Sequence, residues 1–224
     1  GKLVPGINLV SPNEPPRDDN GHGTHVAGIA AADSNNGFGV AGLAFNSRIA
    51  PAKVLDAFGT GSASNIVRGI VWAVENDADV INLSLGSSER SQAVERAVDL
   101  AWQSGAVVVA AAGNEADSDL QYPAALPNVI AVGAVDSVDR RAEFSTFGPW
   151  VEVAAPGVDV LSTTPIYPVV TTELGVTTPA FGALSGTSQS APLVSGLAAL
   201  ILAANPGLGN QAVRDIVLST ADPV

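Results

Sequence analysis

The chain contains neither cysteine nor methionine in its 224 residues. The missing cysteine excludes disulfides, thiolate metal sites and a cysteine nucleophile together. Positive charge is scarce as well. Ten Lys and Arg stand against 22 Asp and Glu, giving a net charge of −12, and lysine occurs only at Lys2 and Lys53. A surface that reads phosphate needs clustered Lys and Arg, so nucleic acid is excluded as a partner. No run reaches the ~18 consecutive apolar residues of a membrane span. The most apolar stretch, GLAALILAAN, is too short and reads as a buried helix. Histidine occurs only at His22 and His25, both inside RDDNGHGTHVAG (17–28). Any chemistry that needs an imidazole must run from there.

What is present is apolar. Hydrophobic residues make up 46% and charged residues 14%, which excludes disorder and suits one α/β domain over 1–224. Apolar β-branched runs at 7–10, 48–55, 79–85, 106–113, 129–135 and 151–155 predict strands. Between and after them, helical patterns fall at about 23–33, 62–76, 91–104, 188–205 and 209–219. This alternation predicts βαβ units, a largely parallel sheet and helices on both of its faces. Residues 163–184, rich in Thr and Pro, form the one long irregular stretch. A connection of that length is usually functional or mobile.

Three glycine-flanked polar residues stand out. Ser188 follows Gly186-Thr187 where a long apolar helix begins, with Pro192 in its expected first turn. It reads as a helix N-cap or as a nucleophile whose own amide lies at the positive end of a helix. Asn114 follows Gly113 at the end of a buried strand. It reads as a turn residue or as a side-chain donor to a developing oxyanion. His22 reads as a polar residue at a helix start or as a general base. Metal binding by His22 and His25 would want the glutamate of an HExxH pattern, which is absent.

NGHGTHVAG, AAAGN and SGTSQSAP, occurring in that order, together resemble the subtilisin-like serine proteases. INLSLG (81–86), YPAALPNVIAVGAV (122–135) and FSTFGPWVEVAAPG (144–157) extend the resemblance, which covers essentially all of 20–220. It implies a three-layer subtilisin-like fold, truncated here at both ends, and one partial catalytic domain. It implies His22 as base, Ser188 as nucleophile and Asn114 as oxyanion donor of a serine endopeptidase. It further implies an extended peptide held between Ser84-Leu85-Gly86 and a strand at Gly59-Thr60-Gly61. Ala111, Ala112 and Gly113 match the walls of the S1 pocket, with Gln121 beside them narrowing it or making it more polar. Residues 163–184, longer than in short family members, are expected to form a flap over the leaving-group side. DSNNGFGVAG (33–42) resembles the family's calcium loop, with Asn36, Phe38 and Val40 as ligands of a structural cation. No cofactor is required for the chemistry. Secretion and an inhibitory pro-segment are also implied. A subtilase-like module that binds peptide without cleaving it is the alternative. A lipase or esterase would want a GxSxG elbow, which SGTSQS is not.

The family's acid precedes its histidine by roughly 30 residues, in a D[ST]G context. The only aspartates before His22 are Asp18 and Asp19, and both sit on the loop leading into it, poorly placed to reach the far ring nitrogen. The triad aspartate is therefore expected from an upstream segment or a companion chain, and this chain alone is expected to be nearly inactive. Without that strand, its neighbours would expose unpaired backbone edges.

Overall fold

Two runs, Val107–Ala111 and Ile130–Val135, are buried at every residue, as strands covered on both faces must be. The computed structural model describes residues 2–223. In chain order the elements are β1 (Ile7–Asn8), α1 (His22–Ala31), β2 (Ala52–Lys53), α2 (Ala63–Glu75), β3 (Val80–Leu83), α3 (Gln92–Gln103) and β4 (Val107–Ala111). There follow β5 (Ile130–Val135), β6 (Val153–Pro156), β7 (Val160–Thr164), α4 (Val170–Glu173), β8 (Ala180–Leu184), α5 (Thr187–Ala204) and α6 (Asn210–Ser219).

Strands β3-β4-β5-β6 form a parallel sheet in that order, with Val109 opposite Ile130 and Val132 opposite Val153. One face carries Ile70, Val94, Val98 and Leu126, brought by α2, α3 and the loop before β5. Val107, Val109, Ile130 and Val132 meet α5 and α6 on the other face, through Ala191, Val194, Ala198, Val213 and Val217. The expected three-layer α/β fold with a parallel sheet is thus present. By length and composition α5 could cross a membrane, yet half of it is buried, and it packs along the sheet.

Helix starts follow local chemistry. The Ser62 hydroxyl accepts from Asn65 N–H at α2, and Ser91 accepts from Val94 N–H at α3. Pro192 lies inside α5, past the first turn where it was expected. Its ring nitrogen has no hydrogen to donate, so the carbonyl four residues earlier, on Ser188, loses its helical partner. The Ser84 hydroxyl replaces it, donating to Ser188 O at 2.8 Å.

Two sequence expectations shorten. The strands expected at 7–10 and 48–55 become β1 and β2, a parallel pair of two residues each, plus a bridge from Leu3 to Ile49. This pair is not bonded to β3. The segment β2-α2-β3 has the form of a crossover, whose strands run parallel, but here the strands stand apart. The slot between them is lined by 50–54 on one side and 80–83 on the other. Ile66 and Ile70 of α2 close one face, and Ala27 and Ala30 of α1 with Gly196 of α5 close the other. The cavity holds about 2170 Å³, well beyond the roughly 300–1,000 Å³ of an ordinary ligand pocket.

Gly42 is the tightest glycine next to a helix end: a Cβ there would lie 2.1 Å from Ala32 N and 2.5 Å from Ala31 N. Backbone cannot yield as a side chain can. Gly42→Ala is expected to destabilise by about 3 kcal/mol, the upper part of the overpacking range. Gly207→Ala, whose Cβ would meet nothing nearer than 3.6 Å, should stay near wild type. Urea unfolding of the pair checks this, and equal midpoints would refute it.

Candidate active site

His22, Ser84, Asn114 and Ser188 all line the cavity. Ser188 is the second residue of α5, and Gly186 takes the N-cap position with no side-chain bond. The capping reading of Ser188 therefore falls. The Ser188 hydroxyl lies 3.5 Å from Ser84 O. Beneath it runs a polar chain: Ser195 Oγ donates to Asn82 Oδ1 at 2.8 Å, and Asn82 Nδ2 donates to Ser84 Oγ at 3.0 Å. Ser84 Oγ then reaches Ser188 O, so the Ser188 carbonyl is held from the end of β3.

Asn114 sits just past β4. Its Oδ1 accepts from Thr187 N–H at 2.8 Å and from the Thr187 hydroxyl at 3.1 Å. A backbone N–H can only donate, so this fixes which end of the amide is oxygen and leaves Nδ2 as the free donor. The Thr187 hydroxyl also accepts from Gly113 N–H at 3.1 Å. Glu115 anchors the loop from behind, accepting from Asn114 N–H at 2.6 Å and from Thr146 Oγ1 at 3.2 Å.

His22 opens α1 and is half-buried. Neither of its ring nitrogens makes a hydrogen bond among the described residues. Asp18 cannot serve it: Oδ1 accepts from Asn20 and Gly21 N–H, and Oδ2 from the N–H and hydroxyl of Thr24. Burial works to raise the Asp18 pKa, but these bonds, the Thr24 hydroxyl foremost, hold it below the ordinary 3.8. Asp18 thus caps the loop. Asp19 forms an ion pair with Lys53 at 2.5 Å. His25 is fully buried, its Nε2 3.0 Å from Gly182 O.

The chain matches the family model described as the subtilase family over residues 3–224. It belongs to the subtilase family. A thermophilic serine proteinase from Bacillus sp. (strain AK1) is 46% identical over 224 residues, covering all of this chain and 52% of the relative. Subtilisin DY from Bacillus licheniformis is 49% identical, over 98% of this chain and 77% of the relative. The chain thus spans about half the length of the first of these relatives and three quarters of the second. Among solved structures, a protease from Pseudoalteromonas arctica PAMC 21717 superposes with a TM-score of 0.88 at 34% identity, over 99% of this chain and 78% of that one.

The other subtilase motifs map unevenly. Ser84, Leu85 and Gly86 run off the end of β3 with no ladder partner until Ser87 bridges to Tyr122. Gly59, Thr60 and Gly61 do not form the expected strand. Asp56 Oδ1 accepts from Phe58 and Thr60 N–H, and Gly59 takes φ +76°, so the segment is folded into a turn. Both segments still line the cavity. Ala111 and Ala112 are buried, and Gln121 packs its Cγ against Gly113. In the loop 33–42, Asn36 Oδ1 accepts from Phe38 N–H, and Phe38 is exposed, edge-on to Phe181. With the main-chain oxygens of Phe38 and Val40 the loop offers three donors. Calcium takes about six to eight, so these residues do not make a complete site.

Asn82, Ser195 and Thr187 were missed from the sequence. A polar residue within the apolar run VINLSL was the available signal for Asn82.

Burial, followed by the positive charge His25 can carry, pushes the His22 pKa below 6.5, with Asp18 pulling weakly upward. Burial likewise lowers His25, against the Gly182 carbonyl. Above pH 6.5 folded and unfolded chains are both neutral at these rings. Below it the unfolded chain takes up protons that the folded chain refuses, so stability falls as pH drops. Urea unfolding at pH 7.5 and 5.5 should show this loss, and His25→Gln should shrink it. An unchanged difference would refute the assignment.

Proposed function

We propose that this chain is the larger part of a serine endopeptidase that cleaves extended polypeptide. The observation that supports the reading is that His22, Asn114 and Ser188 line one cavity together with residues 84–86, which have no ladder partner. Ser188 Oγ attacks the scissile carbonyl while neutral His22 takes its proton, then returns it to the leaving amine as the C–N bond breaks. Water, deprotonated by His22, releases the acyl group. The oxyanion is met by Asn114 Nδ2 and by Ser188 N–H, which makes no hydrogen bond among the described residues. The lowered His22 pKa keeps the ring neutral, hence basic, near pH 7.

The orienting acid is part of the same proposal. A polypeptide strand enters the slot between β2 and β3, parallel to both, and ends in a carboxylate beside His22. Unpaired edges and apolar walls on both faces support such an occupant. An inhibitory pro-segment and secretion belong to this reading through the family.

One observation favours the second reading, binding without cleavage: no hydrogen bond joins Ser188 to His22. Treating the protein, complete with its acid-bearing strand, with a fluorophosphonate and measuring intact mass separates the two. Single phosphonylation at Ser188 supports the protease; no adduct would sink it.

A further inference from the structure

Residues 163–184, expected as a flap, belong to an ordered segment that begins at Val160. The segment forms an antiparallel hairpin, β7 and β8, paired from Val160–Leu184 to Thr164–Ala180 and tipped by α4. We infer that this hairpin is the device that holds His22 at its working distance from Ser188, with Thr171 as its chief positioning residue. The inference rests on the catalytic reading above.

The root of the hairpin is the nucleophile loop. β8 ends at Leu184, Asp159 N–H donates to Ser185 Oγ at 2.9 Å, and Gly186 N–H donates to Gly157 O at 2.8 Å. Midway, the hairpin grips the first turn of α1. Ser162 Oγ donates to His25 O at 2.7 Å, Thr163 Oγ1 donates to Thr24 O at 3.0 Å, and Gly182 O meets His25 Nε2. The tip takes three successive carbonyls of the loop before His22. Tyr167 Oη donates to Asp18 O at 3.0 Å, and Val170 N–H donates to Asp19 O at 3.2 Å. Thr171 donates twice to Asn20 O, from N–H at 3.0 Å and from its hydroxyl at 2.9 Å.

These contacts answer a need. Residues 17–21 have no ladder of their own, and Gly21 is in the left-handed region at φ +106°. A Cβ at Gly21 would lie 2.2 Å from Thr171 Oγ1, so only glycine lets the tip come this close. The Thr171 hydroxyl is itself oriented by Thr177 Oγ1, 3.1 Å away. One hairpin is thus bonded at its tip to the loop that leads into His22 and at its root to the loop that leads into Ser188.

Thr171→Val keeps the shape and removes the hydroxyl. It should slow phosphonylation of Ser188 by a fluorescent fluorophosphonate at least fivefold, in the bond-forming rate constant rather than the half-saturating concentration. Thr171→Ser should return to within twofold of wild type, and Tyr167→Phe should lose a smaller factor. A wild-type rate in Thr171→Val, or Thr171→Ser no faster than Thr171→Val, overturns the inference. His22→Ala tests the underlying reading separately. Where it labels like wild type, the base reading fails, and the His22 ring resonance decides alone: moved by Thr171→Val and restored by Thr171→Ser if the hairpin positions the ring, unmoved if it does not.

Discussion

Ser188→Ala and His22→Ala should each remove about 10⁶ of kcat from the completed enzyme, and the double variant should lose no more than either. A hydroxyl is a poor nucleophile at neutral pH unless a base takes its proton as it attacks. The base, in turn, has nothing to activate once Ser188 is gone. The two groups act as one, so their losses overlap rather than add. The neutral, half-buried His22 has no competing hydrogen bond, and the Ser188 hydroxyl has only a long contact of 3.5 Å to Ser84 O to give up. Initial rates on a chromogenic peptide anilide measure all three variants. A double variant slower than both singles by a further hundredfold would show that the residues act independently, and the shared proton transfer would be wrong.

How much of this was legible depended on where each element found its partners. Val107–Ala111 and Ile130–Val135 could be read as strands because helices cover both faces and every residue had to be apolar. The runs at 7–10 and 48–55 were overestimated because strand length is set by pairing, and β2 borders the slot instead of a neighbour. The hairpin at 160–184 escaped because its threonines and Ser162 do not alternate with apolar residues. Their hydroxyls are spent on carbonyls of α1 and of the preceding loop, a use that no periodicity announces. In the candidate site, His22, Asn114 and Ser188 stood out in the sequence as polar residues beside or near glycines at element ends, and all three line the cavity. Their supports did not. Asn82 and Ser195 lie 113 positions apart and meet only through the packing of α5 on β3.

Asn114→Leu should lower kcat by about 10²–10³ with KM little changed, the loss measured when a subtilisin is stripped of one such donor. The amide must meet negative charge that exists only in the transition state, so its removal leaves ground-state binding alone. Its strength depends on orientation, and that is where Thr187 enters. With Oδ1 pinned by the Thr187 N–H and hydroxyl, Nδ2 is left as the free donor and does not have to be turned at the moment of reaction. Thr187→Val removes one of the two pins and the acceptor for Gly113 N–H, but leaves Asn114 in place. It should therefore cost less, about tenfold, again in kcat, and Thr187→Ser should recover most of it. In the Asn114→Leu background Thr187→Val should cost almost nothing more, because there is no amide left to aim. Steady-state kinetics on the four proteins close this cycle. If Thr187→Val is as costly without Asn114 as with it, the threonine acts by some route other than the oxyanion donor, and the positioning argument is wrong.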